Sequence, residues 1–137
     1  MSQMPIFKRE NISSGTPWEP LAGYSRAVHV GPFVYVSGTT ATDGEGKIIG
    51  LGDPEAQAFK TLQNIESALK KVGAQLTDVV RTRIYITNIE NADVICRVHG
   101  RFFRDIRPAC TLVVVKGLIV PEMLVEIECD AVIHSGQ

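Results

Sequence analysis

Three acidic side chains recur at every second position near the end of the chain: Glu126, Glu128 and Asp130. In a β-strand this spacing places all three carboxylates on one face. A carboxylate on a strand face that becomes covered loses water, and its pKa rises toward the range that suits general acid–base chemistry. Glu126 is therefore the first catalytic candidate. The alternative is that the three carboxylates are solvated or paired with Arg81 and Arg83 across the sheet.

Cys110 and His99 are the second pair of candidates for chemistry. Cys110 follows Pro108-Ala109 and opens an apolar run, so its thiol could face a cleft at the edge of a sheet. A nucleophilic thiol needs a base, which His99 on the preceding predicted helix could supply. The alternatives are that Cys110 is a small buried hydrophobic residue and that His99 is a hydrogen-bonded packing residue or a pocket donor.

A hydroxyl-rich turn could bind a small polar ligand. Ser37, Gly38 and Thr39 stand where a predicted strand ends, so they offer hydroxyl groups and free backbone N–H groups at a turn. The alternative is a strand exit in which the hydroxyls bond only to the local backbone.

Composition narrows the class of protein. The 137 residues carry a formal net charge of -1 with dispersed Lys and Arg, so we expect one domain over 1–137 and no nucleic-acid partner. The chain has no apolar run long enough to span a membrane and no signal-peptide pattern. Its three cysteines lack CxxC spacing, and His29 and His134 have no partner suggested by spacing. We therefore expect no metal site and a reducing cytoplasm.

The remaining pattern predicts the elements that position these groups. β-Branched and aromatic residues at 24–30 and 33–37, joined by Gly31-Pro32, predict a hairpin. Asp53 and Pro54 predict a helix start, and apolar residues recur with four–three spacing until Gly73. A strand over 78–87, a shorter helix from residue 91, and strands over 111–115 and 124–133 follow. The 111–115 segment is expected to be central because it is almost continuously apolar.

The order β-β-α-β-α-β-β predicts an α+β fold, a mixed sheet with two helices packed on one face. The other face of the sheet is polar but not strongly charged. We expect subunits to bury these faces against one another in a closed ring, with clefts where the sheets meet.

Several motifs in this order resemble the RidA/YjgF (reactive-intermediate deaminase) family along nearly the whole chain: Gly23-Tyr24-Ser25, Phe33 to Gly38, Arg107-Pro108-Ala109 and Val125-Glu126-Ile127-Glu128. The resemblance implies a chorismate-mutase-like fold, a homotrimer and ligand clefts between subunits. It also implies cofactor-independent hydrolytic deamination of enamines and imines such as 2-aminoacrylate. In that scheme the glutamate matching Glu126 positions or activates water, and Tyr24 and Ser37 line the cleft. Some relatives are described as ribonucleases, which the lack of a basic patch disfavours here.

The sequence departs from the family at three pocket positions. Cys110 stands where the family's carboxylate-binding arginine would be, and a thiol cannot make the two charge-assisted bonds of a guanidinium. Cys96 and His99 stand where many members have asparagine and tyrosine. Arg107 is a possible substitute for the arginine. The resemblance thus points to an arginine-lacking branch, and to an imine or enamine other than 2-aminoacrylate, or to a binding or sensing trimer without catalysis.

Overall fold

The computed structural model describes residues 6–134, which form six strands and three α-helices. The strands are β1 (Arg9–Ile12), β2 (Ala27–Val30), β3 (Phe33–Thr39), β4 (Val79–Ile86), β5 (Ala109–Val114) and β6 (Val125–Val132). The helices are α1 (Trp18–Ala22), α2 (Pro54–Lys71) and α3 (Ala92–Phe103). All six strands form one sheet in the order β1-β2-β3-β6-β4-β5, in which only β4 and β5 run parallel.

The long helices α2 and α3 lie on one face of the sheet and enclose the core. Helix α2 begins where the Asp53 carboxylate accepts a hydrogen bond of 3.1 Å from the Ala56 backbone N–H, and Pro54 fits the first turn because it needs no N–H partner there. Its apolar face packs on alternate residues of β3, β4 and β6, including Val34, Ile84 and Ile127. This burial leaves the opposite residues of the same strands on an open face of the sheet.

The α+β fold with a mixed sheet and two helices on one face is confirmed, and the structure adds β1 and α1 before the first predicted strand. The first predicted strand begins at Ala27 rather than at residue 24. The expectation that the 111–115 segment is central is wrong. It belongs to β5, which pairs only with β4 at the edge of the sheet, and Val113 and Val114 are 42% and 49% exposed in the single chain.

A bulge interrupts β3 where the candidate site begins. The register between β3 and β6 shifts between Val36 and Thr39, so Ser37 and Gly38 fall outside the regular pairing. A bulge bends the strand and redirects its side chains. Here it brings the Gly38 backbone against the side chain of Glu126, as described below.

Candidate active site

Glu126 lies on the open face of β6, between the β3 bulge and Tyr85 of β4. Along β6 the residues Val125, Ile127 and Cys129 are buried under the helices, whereas Glu126 and Glu128 alternate with them. A Cβ atom added to Gly38 would lie only 2.7 Å from Glu126 Oε2. The missing side chain of Gly38 is therefore what allows the carboxylate to rest on the β3 backbone.

Partial burial and two neighbouring charges shift the pKa of the Glu126 carboxyl group. Desolvation raises the pKa of its carboxyl above the ordinary 4.5; the positive charge of Arg26 counteracts this and the negative charge of Glu128 adds to it. Within residues 6–134 Glu126 makes no direct ion pair. A half-buried carboxylate with these properties is suited to accept a proton.

The other two carboxylates of β6 are engaged by their neighbours. The Tyr85 hydroxyl donates a hydrogen bond to Glu128, and this bond raises the tyrosine pKa, as does burial. Arg83 Nη1 lies 3.5 Å from Glu128 Oε2 and 3.4 Å from Asp130 Oδ2. Glu128 and Asp130 are thus paired with Arg83 across the sheet, as the alternative interpretation of the sequence expected, whereas Glu126 is not paired in this way.

Arg26 is the residue of this site that the sequence analysis missed. Its Nη1 donates to the Gly38 carbonyl at 2.6 Å and to Thr39 Oγ1 at 3.2 Å, and its Nη2 donates to the Tyr24 hydroxyl at 3.3 Å. These partners are neutral, so they hold the guanidinium in place without cancelling its charge. Tyr24 and Arg26 precede β2 at alternate positions, a spacing that could have indicated a shared face.

The hydroxyl groups of the β3 bulge are bonded mainly to nearby backbone. Ser37 Oγ donates to the Ser25 carbonyl at 2.7 Å, and Thr39 Oγ1 donates to the Ser37 carbonyl at 2.7 Å. Thr39 is also buried. These bonds are those of the strand-exit alternative, and they stabilise the bulge that carries Gly38.

Cys110 and His99 lie on the helix side of the sheet, opposite to Glu126. Cys110 pairs in register with Thr82, whereas Glu126 pairs with Tyr85, three residues further along β4 and therefore on its other face. His99 Nε2 lies 2.9 Å from the hydroxyl oxygen of fully buried Thr82, and burial lowers the histidine pKa. One chain therefore does not bring its three predicted catalytic residues together.

The two remaining candidates, Cys96 and Arg107, also lie on the helix side. Cys96 is exposed, one turn before His99 on α3. Arg107 has a positive φ of 56°, and its Nε donates to the Arg104 carbonyl at 3.2 Å. It borders an open depression of about 440 Å³ that is lined by His99, Gly100, Phe103, Arg104, Arg107 and Pro108. Arg107 is thus close to His99 and belongs to the face that Glu126 does not occupy.

The described part of the chain offers no cluster of three metal-ligating side chains. Among its helices, none is long and apolar enough to cross a membrane.

The fold is that of an α+β protein, in which Glu126 and Arg26 lie on one side of the sheet and Cys110, His99 and Arg107 on the other. The family model of the Endoribonuclease L-PSP family matches residues 15–133, and the chain belongs to this family, the YjgF/RidA group that its motifs predicted.

Related proteins align with this chain over most of their length. An uncharacterised Streptomyces coelicolor protein is 37% identical over 120 residues, covering 88% of this chain and 89% of its own. A RutC family protein of Pyrococcus abyssi is 32% identical over 113 residues, covering 82% and 88%. The crystal structure of a Mycobacterium tuberculosis member of the YjgF/YER057c/UK114 family has a TM-score of 0.84 at 45% identity, covering 92% of this chain and all of that one (100%).

Proposed function

We propose that this chain assembles as a homotrimer and hydrolyses a small imine or enamine other than 2-aminoacrylate in clefts between its subunits. The observation that carries the proposal is Glu126: a half-buried carboxylate with a raised pKa, packed close to Gly38 and without a direct ion pair among residues 6–134. Such a group can take a proton from water and direct the oxygen to an electrophilic carbon.

Two chains supply one cleft. Glu126 and Arg26 lie on the open face of the sheet, whereas Cys110, His99 and Arg107 lie on the helix side near its edge. Packing the edge strand β5 of one subunit beside the open face of the next would join these half-sites. The exposed apolar side chains of the sheet, among them Phe33, Tyr35 and Val113, support such packing because association would remove them from water.

In the proposed reaction Glu126 accepts a proton from a water molecule while the oxygen of that water attacks the C=N carbon. The resulting tetrahedral intermediate then takes up a proton at nitrogen and expels ammonia, leaving a carbonyl product. An enamine enters the same sequence after protonation at carbon. Arg26 supplies a positive charge that is fixed by three hydrogen bonds, and it can attract a polar or anionic part of the substrate. No step requires a cofactor.

The test is ammonia release from a panel of freshly generated imines, comparing the wild-type chain with Glu126→Gln. Glutamine keeps the size of the side chain but accepts no proton, so we expect turnover to fall by at least about 100-fold. Equal release by the two proteins on every imine would overturn the proposal. Native mass spectrometry of the same samples checks that both proteins are trimers.

A binding or sensing trimer is the second candidate. This function is favoured because several polar groups that could take part in catalysis are already hydrogen-bonded within the chain. The Ser37 and Thr39 hydroxyls donate to backbone carbonyls, and His99 Nε2 is hydrogen-bonded to the Thr82 hydroxyl. Thermal-shift screening with metabolites separates the two functions. Ligands that stabilise the trimer and are recovered unchanged would favour binding, whereas conversion that depends on Glu126 would favour catalysis.

A further inference from the structure

Two of the three cysteines share an exposed surface of the helix side. Cys96 lies on α3 and Cys110 at the start of β5, and both are exposed. The third, Cys129, lies in the core, where burial raises its pKa to about 12. The chain thus carries two thiols open to reagents and one protected thiol that serves as an internal control.

The path of the chain brings the two exposed thiols close together. Helix α3 connects the parallel neighbours β4 and β5, so it crosses back over both strands. The contact of 2.9 Å between His99 and Thr82 fixes one turn of α3 above β4. Cys110 is the register partner of Thr82 and faces the same side, about 4.8 Å away across the sheet. Cys96 precedes His99 by one turn, and residues three apart share a helix face.

The electrostatics agree with this placement. Burial is the largest cause that raises the pKa of the Cys96 thiol, and the second is the charge of the Cys110 thiolate. The influence of Cys110 on Cys96 agrees with the proximity of the two side chains that the strand register and the helix position indicate.

We propose that Cys96 and Cys110 form a dithiol oxidation site, which a hydroperoxide converts into a disulfide within one chain. The Cys110 thiolate attacks the peroxide oxygen, the O–O bond breaks, and the products are a sulfenic acid and, after protonation, an alcohol or water. The Cys96 sulfur then attacks the Cys110 sulfur and expels water. In sum, two thiols lose two electrons and two protons, and one hydroperoxide is reduced. The proposal is independent of hydrolysis by Glu126.

The order of the two steps follows from the environments of the thiols. Cys110 is exposed at the start of the edge strand β5, which favours it as the residue that meets the peroxide. Burial raises the pKa of the Cys96 thiol and so lowers its thiolate fraction, which suits Cys96 to the second, resolving step. The disulfide then ties α3 to the edge strand and removes both thiols from the wall of the proposed cleft.

The test treats the trimer with one equivalent of hydrogen peroxide per chain, followed by tryptic mass spectrometry without reduction. Cleavage after Arg97 and Arg104 puts the two cysteines on different peptides. We expect these peptides to be cross-linked, with the intact chain lighter by two hydrogen atoms. Cys96→Ser should accumulate a sulfenic acid on Cys110 that dimedone traps, and Cys129→Ser should behave like wild type. Free thiols after treatment, a disulfide only between chains, or a trapped sulfenic acid on Cys96 in Cys110→Ser would overturn the proposal.

Phenylarsine oxide measures the proximity of the thiols without oxidation, because trivalent arsenic bridges two nearby sulfur atoms. We expect one arsenical per chain in wild type and in Cys129→Ser, and none that survives washing in Cys96→Ser or Cys110→Ser. Equal retention by all four proteins would contradict the pairing of these two cysteines.

Discussion

The contact between Gly38 and Glu126 makes it possible to move the proposed catalytic carboxylate without removing it. An alanine Cβ at position 38 would lie 2.7 Å from Glu126 Oε2 and 3.0 Å from its Cδ. Ordinary contact begins near 3.4 Å, so the oxygen must retreat by about 0.7 Å. The group that must move is the far end of a flexible side chain, and Gly38 does not have a positive φ that only glycine tolerates.

Gly38→Ala should therefore separate stability from activity. We expect the free energy of unfolding to change by less than about 1 kcal/mol, because the carboxylate can rotate away and alanine restricts the unfolded chain. Turnover should fall by roughly 10- to 100-fold, since a displacement approaching 1 Å is enough to misplace a reacting group.

The assay is ammonia release from the best imine of the panel, together with urea denaturation of the same preparations. Gly44→Ala is the matched control, because a Cβ there meets no atom within 4 Å. Full turnover in Gly38→Ala would refute the role of the carboxylate position. A loss of turnover that follows loss of folded protein would refute the separation of stability from activity.

Other predictions concern charge and stability. Because the pKa of Glu126 is raised in the folded state, its ionised form opposes folding. Glu126→Gln should therefore raise Tm at neutral pH, and this gain should disappear below about pH 4.5, where the glutamate is protonated in both states. An unchanged or lower Tm at neutral pH would contradict this prediction. Burial acts to raise the pKa of Glu19, but hydrogen bonds from Ser14, Ser13 and Thr16 hold this pKa at about 2. The stability that ionised Glu19 provides is therefore present above about pH 4.5 and is lost toward pH 2. Glu19→Ala should therefore lower the free energy of unfolding by about 2 kcal/mol at pH 7 and by much less at pH 2, as measured by denaturation at both pH values. Cys110→Arg should confer 2-aminoacrylate deamination, measured as faster ammonia release, because a guanidinium binds a carboxylate through two bonds; an inactive trimer would show that Cys110 is not the main reason for altered specificity.

The face of β6 could be predicted from the sequence because a strand has a period of two residues. Glu126, Glu128 and Asp130 lie together on the open face, opposite to Val125 and Ile127, as the alternation indicated. The helix from Pro54 was equally predictable, because its cap and its apolar spacing are local features.

Features that depend on contacts between distant segments were not predictable. An apolar run such as β5 is equally compatible with a central strand and with an edge strand, and only the pairing with β4 decides between them. Arg26 reaches Gly38 and Thr39 across the β2–β3 hairpin, and the bulge that makes this possible follows no sequence period. Strand β1 contains one apolar residue in four, which gives no recognisable alternation.

The separation of Glu126 from Cys110 and His99 has the same origin. Their relative faces depend on the register of three strands, because Cys110 pairs with Thr82 while Glu126 pairs with Tyr85. The sequence analysis assigned all three residues to one catalytic site. In one folded chain, however, Glu126 lies on one side of the sheet and Cys110 and His99 lie on the other.

The most direct measurement is subunit complementation, which tests whether each cleft is built from two chains. Glu126→Gln removes the proposed base, and Cys110→Trp would fill the proposed cleft from the exposed start of β5, so trimers of either variant alone should be inactive. Co-expression of the two variants should restore about a quarter of wild-type ammonia release per cleft, because random assembly pairs an intact Glu126 with an intact Cys110 side at that frequency. Mixed trimers as inactive as their parents would contradict the account.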